Sequence, residues 1–177
     1  MSITFTHITT NDEGIIDKEW EKCVEETNEL LVVAFGKGND PYLWGATRIV
    51  KGCIDDKLVC TCGLKYWWKD NTLAFIDSVG AFPQNRGYGS LLMRYIVEYL
   101  NNSGVKKIYL KIDKNEKADR LKKFYSQFGF SEVNEVNRDI AIFIDYKAHD
   151  EYDDDEYDDD DFHDEYIMSR SGSVNSV

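Results

Sequence analysis

The sequence predicts a mixed α/β domain: a mostly antiparallel central sheet of about six to seven strands, flanked by helices. Segments with period-two alternation of apolar and polar residues are interleaved with segments of helical spacing. Short polar turns join neighbouring strand segments as hairpins. One helix-mediated crossover between two strands implies a parallel pair inside the otherwise antiparallel sheet.

Ile3 to Thr9 reads as the first strand, with Ile3, Phe5 and His7 on one face. Asp17 is a plausible N-cap for a helix reaching about Val33, in which Trp20, Cys23, Val24, Thr27, Leu30 and Leu31 recur at helical spacing. Gly36 to Gly45 is a loop, marked by Gly38, Asn39, Asp40 and Pro41. Thr47 to Ile54 and Lys57 to Trp67 form a hairpin turned at Asp55-Asp56, and Leu58, Cys60, Cys62, Leu64 and Tyr66 mark the second strand as half-buried. Leu73 to Phe82 is a further strand. The helix from Tyr88 to about Asn101 presents Leu91, Leu92, Tyr95, Ile96, Tyr99 and Leu100 as its apolar stripe, with Gly104 as its stop. Lys107 to Ile112 is a strand reached by crossover, Glu116 to Phe128 a helix, and Phe130–Val133 with Ile140–Tyr146 a closing hairpin.

The chain is long enough for one domain, and 14% aromatic residues supply bulk for its core. Its charge of -12 is uneven: from His149 onward there are twelve acids and one Arg, so residues 1–148 are nearly neutral. Asp153 to Asp161 holds seven Asp, one Glu and one Tyr. Such like-charge density lacks the apolar area to offset ordering entropy, so residues 149–177 are expected to be an acidic disordered C-terminal tail beyond a 1–148 domain. No apolar run has the length of a membrane span and no secretory leader is evident, which gives the expectation of a soluble, cytoplasmic protein. Cys23, Cys53, Cys60 and Cys62 lack the paired C-x-x-C spacing or adjacent histidines of a zinc site, and they read as reduced core thiols.

The strand at Leu73 and the helix at Tyr88 are joined by Gln84-Asn85-Arg86-Gly87-Tyr88-Gly89-Ser90. Two glycines admit close backbone approach, while unpaired amides and the helix dipole favour an anion, so this turn suits a phosphate or pyrophosphate. A dinucleotide fingerprint needs a third glycine where this chain has Leu92, and a P-loop needs Gly-Lys-Ser/Thr; neither fits. Gln-x-x-Gly-x-Gly is similar to the coenzyme A loop of the GNAT acyltransferase superfamily, and the run Gln84 to Met93 resembles its histone-acetyltransferase-like branch. Phe124-Tyr125-Ser126-Gln127-Phe128-Gly129-Phe130 resembles the Tyr-x-x-x-Gly-Phe signature that closes the last helix of that superfamily.

The resemblance implies acetyl-CoA as cosubstrate, no metal, and coenzyme contacts from Val79, Gln84, Asn85, Arg86, Gly87, Tyr88, Gly89, Ser90 and Asn115. It implies transfer of acetyl to a primary amine by direct attack, the acceptor being a small molecule, a polyamine or a basic protein or peptide. It also implies Tyr125 as the acid that protonates the departing thiolate; by periodicity alone Tyr125 is equally a core aromatic. The family's base is commonly a Glu on the strand before the loop, and this chain has none there. Asp77, among Leu73, Phe75, Val79 and Ala81, is the available carboxylate: either a general base with raised pKa or a hydrogen-bonded structural group at a bulge. Lys114, Lys117, Lys122 and Lys123 could meet a coenzyme phosphate or simply face solvent, and Tyr42, Trp44, Tyr66, Trp67 and Trp68 could wall an acceptor pocket. The protein is expected to be a monomer or homodimer without direct nucleic-acid or membrane contact. The missing Glu keeps open a second reading, a coenzyme A-binding or interaction module with an acidic recruiting tail.

Overall fold

The computed structural model describes residues 2–10, 18–35, 46–66, 71–134, 140 and 165–171. Strand β1 (Thr4–Thr9) precedes helix α1 (Lys18–Phe35), strands β2 (Arg48–Ile54), β3 (Lys57–Tyr66) and β4 (Leu73–Ala81), helix α2 (Tyr88–Asn102), strand β5 (Lys107–Asp113), helix α3 (Ala118–Ser126), and strands β6 (Ser131–Val133) and β7 (Glu165–Ser171). They form one seven-stranded sheet in the order β1-β2-β3-β4-β5-β7-β6. Every neighbouring pair is antiparallel except β4 and β5, which are parallel and joined through α2.

Local chemistry sets these elements. Asp55 and Asp56 both take the left-handed conformation, at φ 47° and 61°, which a two-residue hairpin turn requires and which short polar side chains tolerate. At the end of α2, Gly104 takes φ 81°, its amide bonds Asn101 O, and the Val105 amide reaches back to Leu100 O, so orphan carbonyls of the last turn are satisfied. On α1, the stripe Trp20, Cys23, Thr27, Leu30 and Leu31 is buried. Thr27 escapes the cost of burying a hydroxyl by donating to Cys23 O at 2.7 Å.

The two faces of the sheet are covered separately. One cluster joins Trp20, Cys23 and Leu31 of α1 to Ile49 of β2. The larger cluster joins Leu92, Met93, Ile96 and Leu100 of α2, with Leu121, Phe124 and Tyr125 of α3, to Val50, Cys60, Cys62, Leu64, Ile108 and Leu110. Strand β3 is therefore buried from Val59 to Lys65 rather than half-buried, because helices pack on both sides of it. On α2, Leu91 faces solvent and Met93 is buried in its place, a shift of the stripe set by the entry angle of the helix.

The final strand differs from the expectation. The segment expected to close the sheet, Ile140–Tyr146, lies outside the described residues except Ile140, which packs against the cluster of Phe75 and Tyr109. Glu165–Ser171 instead forms β7, pairing with the full length of β5 on one side and with β6 on the other. The forecast of a disordered tail fails for these residues: the outer edge of β5 needs a partner, and Tyr166-Ile167-Met168 supplies apolar area that the surrounding charge conceals in the sequence, with Met168 buried. The run Asp153–Asp161 thus lies in the chain between two paired strands; residues 149–164 and 172–177 are outside the described residues. No helix among the described residues is long and apolar enough to cross a membrane.

A chain ending at Ala148 is expected to lose cooperative thermal unfolding, because it lacks an interior strand, whereas excision of residues 150–161 alone leaves a cooperative transition. Circular-dichroism melting of the two variants checks this.

Candidate active site

The site begins where β4 and β5 part. Their parallel pairing spans Leu73–Ile76 against Lys107–Leu110 and stops, although β4 continues to Ala81 and β5 to Asp113. Both strands stay anchored on their outer sides: Ala81 still pairs with Cys60 of β3, and Asp113 with Glu165 of β7. The result is a wedge between two held strands, with the inner edge of β4 beyond Ile76 unpaired among the described residues.

Asp77 stands at the apex. In the β3–β4 ladder Gly63 pairs with Ser78 and Leu64 with Ile76, so Asp77 is the extra residue of a β-bulge. The bulge inverts the alternation. Phe75 packs with Tyr109 on one face, whereas Val79 and Ala81 pack in the cluster of α2 and α3 on the other. The expectation that Asp77 shares a single face with Leu73, Phe75, Val79 and Ala81 is corrected accordingly. Burial pushes the Asp77 carboxyl above the usual carboxylate range, while the ammonium groups of Lys65 and Lys111 pull it back.

At the mouth of the wedge lies the glycine turn. Gly87 takes φ 80°, which only glycine adopts without strain, and its carbonyl accepts the first helical bond from the Leu91 amide at 3.0 Å. The amides of Tyr88, Gly89 and Ser90 precede that bond and have no backbone acceptor among the described residues. The side chains of Asn85 and Arg86 are exposed beside them. Gln84 points elsewhere, its side-chain amide donating to Ala34 O at 2.8 Å and tying the turn to the end of α1. A Cβ on Gly89 would meet Phe124 and Ala81 only at ordinary contact distance, so the protein itself leaves room for a side chain there.

Tyr125 approaches from α3. It packs edge-on against Phe124, with ring centroids 5.1 Å apart, and burial raises its phenol above the ordinary range, with the Cys62 thiol adding to the rise. Cys62 is fully buried on β3, pairs with Val79, and is itself pushed upward by burial and then by Asp77. Cys62 thus feels the charge of Asp77, and Tyr125 feels that of Cys62.

Other expected contacts fall differently. Asn115 Oδ1 accepts from the Lys117 amide at 2.9 Å, so its oxygen helps to start α3. Lys122 pairs with Glu132 at 2.9 Å and lies over the Tyr166 ring. Tyr66 stands by Arg48, whose guanidinium also faces Tyr99 near the far end of α2, away from the glycine turn. Tyr42, Trp44, Trp67 and Trp68 lie outside the described residues. Lys65 and Lys111 were not singled out by the sequence; a lysine within the apolar run Leu58–Tyr66 was the available signal. No cluster of three metal-ligating side chains occurs among the described residues.

The model of the acetyltransferase (GNAT) family matches residues 14–130, more than half of the chain, and the chain belongs to this family. Its fold is similar to that of Arabidopsis thaliana Naa50 in complex with the bisubstrate analogue CoA-Ac-MVNAL, at TM-score 0.60 and 20% identity, covering 97% of this chain and 99% of that one. It is also similar to the catalytic domain of the Tetrahymena GCN5 histone acetyltransferase in complex with coenzyme A, at TM-score 0.60 and 13% identity over 98% and 95% of the two chains. Escherichia coli ElaA gives TM-score 0.61 at 18% identity, over 96% and 100%. No curated protein sequence matches significantly.

Gly87→Ala is expected to cost about 1–2 kcal/mol of stability through its left-handed backbone, since no atom lies within 4 Å to obstruct the methyl. It should also weaken coenzyme A binding by tilting the amides of the turn. Urea unfolding and calorimetric titration with coenzyme A measure the two effects.

Proposed function

We propose that the protein is an N-acetyltransferase that moves an acetyl group from acetyl-CoA to a primary amine by direct attack. The observation that carries this reading is the wedge between β4 and β5, with the glycine turn at its mouth and Asp77 at its apex. The free amides of Tyr88, Gly89 and Ser90 suit the pyrophosphate, strengthened by the positive end of α2. The unpaired edge of β4 around Val79 offers backbone donors and acceptors to the amide-bearing pantetheine arm, which would lie between the strands as a substitute partner.

In the reaction, the amine lone pair attacks the thioester carbonyl carbon and the C–S bond breaks. Asp77, with its raised pKa, takes the proton that the nitrogen loses, directly or through water. Tyr125, held in its protonated form by burial, gives a proton to the departing thiolate. No covalent enzyme intermediate is required.

The acceptor is a small amine, a polyamine or a basic protein or peptide. The acidic run favours cationic acceptors: β6 and β7 bracket it in the chain, and β7 starts opposite Asp113, at one lip of the wedge. A second reading, a coenzyme A-binding module without turnover, draws support from the lack of a Glu on β4, where the family commonly carries its base.

With acetyl-CoA and a panel of polyamines, aminoglycosides, lysine peptides and peptides with free N-termini, coenzyme A release is expected for at least one acceptor. Asp77→Asn and Tyr125→Phe should each lower kcat by about 100-fold or more. Full turnover by both variants removes these residues from the mechanism. Stabilisation by acetyl-CoA, about 2.7 kcal/mol at 100 times its dissociation constant, without release against any amine favours the binding module.

A further inference from the structure

Lys65 is the most anomalous charged residue of the sheet. It lies on an interior strand with 6% exposure. Its place in the ladder is defined: it pairs with Phe75, and its Nζ stands 4.9 Å from the centre of the Phe75 ring, so both side chains share a face. Tyr109 of β5 packs with Phe75 on that face. Lys111, two residues beyond Tyr109, follows by strand alternation, immediately after the last rung that joins β5 to β4. Asp77 occupies the equivalent place on β4, immediately after the same rung.

We infer that Lys65 and Lys111 are positioning residues for the acetyl transfer, two ammonium groups on β3 and β5 that bracket Asp77 and keep its carboxylate ionised at the apex of the wedge. The inference rests on the reading of Asp77 as the base. A carboxyl taken out of water holds its proton too tightly to act at neutral pH unless nearby positive charge opposes desolvation, and both lysines act in that direction on Asp77. Among the described residues, the other groups around Asp77 do not substitute for them. The Cys62 thiol of β3 is neutral, Tyr125 of α3 stands beyond it with a neutral phenol, and α1, packed on β4, brings no charge that acts on Asp77.

The test compares wild type with Lys65→Met, Lys65→Arg and Lys111→Met. Methionine keeps the apolar volume and deletes the charge; arginine keeps the charge. The acidic limb of the kcat/KM–pH profile should move to higher pH in both methionine variants and return in Lys65→Arg, with the loss of activity larger at pH 6 than at pH 8. A limb that stays in place in folded methionine variants overturns the inference. Because Lys65 is buried, Lys111→Met provides the readout if Lys65→Met does not melt cooperatively. Carbon-13 NMR titration of labelled aspartate carboxyls, with Asp77→Asn to assign the resonance, reads the same midpoint without turnover. A midpoint raised by the methionine substitutions in a protein that acetylates no amine would leave the charge cluster standing and refute the reading of activity. An unmoved midpoint in an active enzyme does the reverse.

Discussion

The geometry of the whole molecule turns on a pairing that is left incomplete. Two parallel strands share four rungs, Leu73–Lys107 through Ile76–Leu110, and then diverge while each remains fixed to its other neighbour. A sheet interior does not give up hydrogen bonds freely: an unsatisfied buried backbone group costs about 1–3 kcal/mol. The bulge at Asp77 permits the separation by adding a residue to β4 and increasing its local twist, so the strand bends away from β5 without losing β3. Everything attached to the two free ends follows that divergence. The glycine turn and α2 continue from one lip, and the start of α3 from the other.

Because β3 and β7 hold the outer sides, the wedge is a permanent feature of the fold. It is not a frayed end. This distinguishes a site that is prepared before a ligand arrives from one that a ligand must open, and prepared backbone groups bind without first giving up conformational freedom. The tie from Gln84 to Ala34 acts in the same way at the mouth, fixing the turn to a helix on the opposite side of the sheet.

The portions of this arrangement that depend on local chemistry could be read from the sequence. Glycines at 87 and 104, the Asp55-Asp56 hairpin and the helical stripes each specify their own conformation within a few residues, and the order of the first eight elements followed from them. What depends on register was out of reach. Leu73, Phe75, Asp77, Val79 and Ala81 look like one face of a strand, and only the skipped rung between Gly63 and Leu64 shows that they occupy two. Lys65 looks like an outward residue between Leu64 and Tyr66 until two helices are seen to cover β3. The last strand was concealed for a different reason. Tyr166-Ile167-Met168 is too short an apolar run to stand out beside a dense block of acids, and only the unmet edge of β5 gives it a place.

Charge acts on this site at two distances. The run Asp153–Asp161 contributes most of the net charge of a chain whose remainder is nearly neutral, and its field decays over about 8–10 Å at ordinary salt. Such a field attracts cations within that range, and it discriminates little among them. At the apex burial raises the Asp77 carboxyl while Lys65 and Lys111 lower it, and fields inside the fold are screened far less. Under the proposed transfer, an acceptor amine drawn in by the first field has to give up its proton close to Asp77. The proposed activity makes two opposed demands, since a cation is easier to capture but only the neutral amine has the lone pair that attacks the thioester, and a base at the apex is the group that would reconcile them.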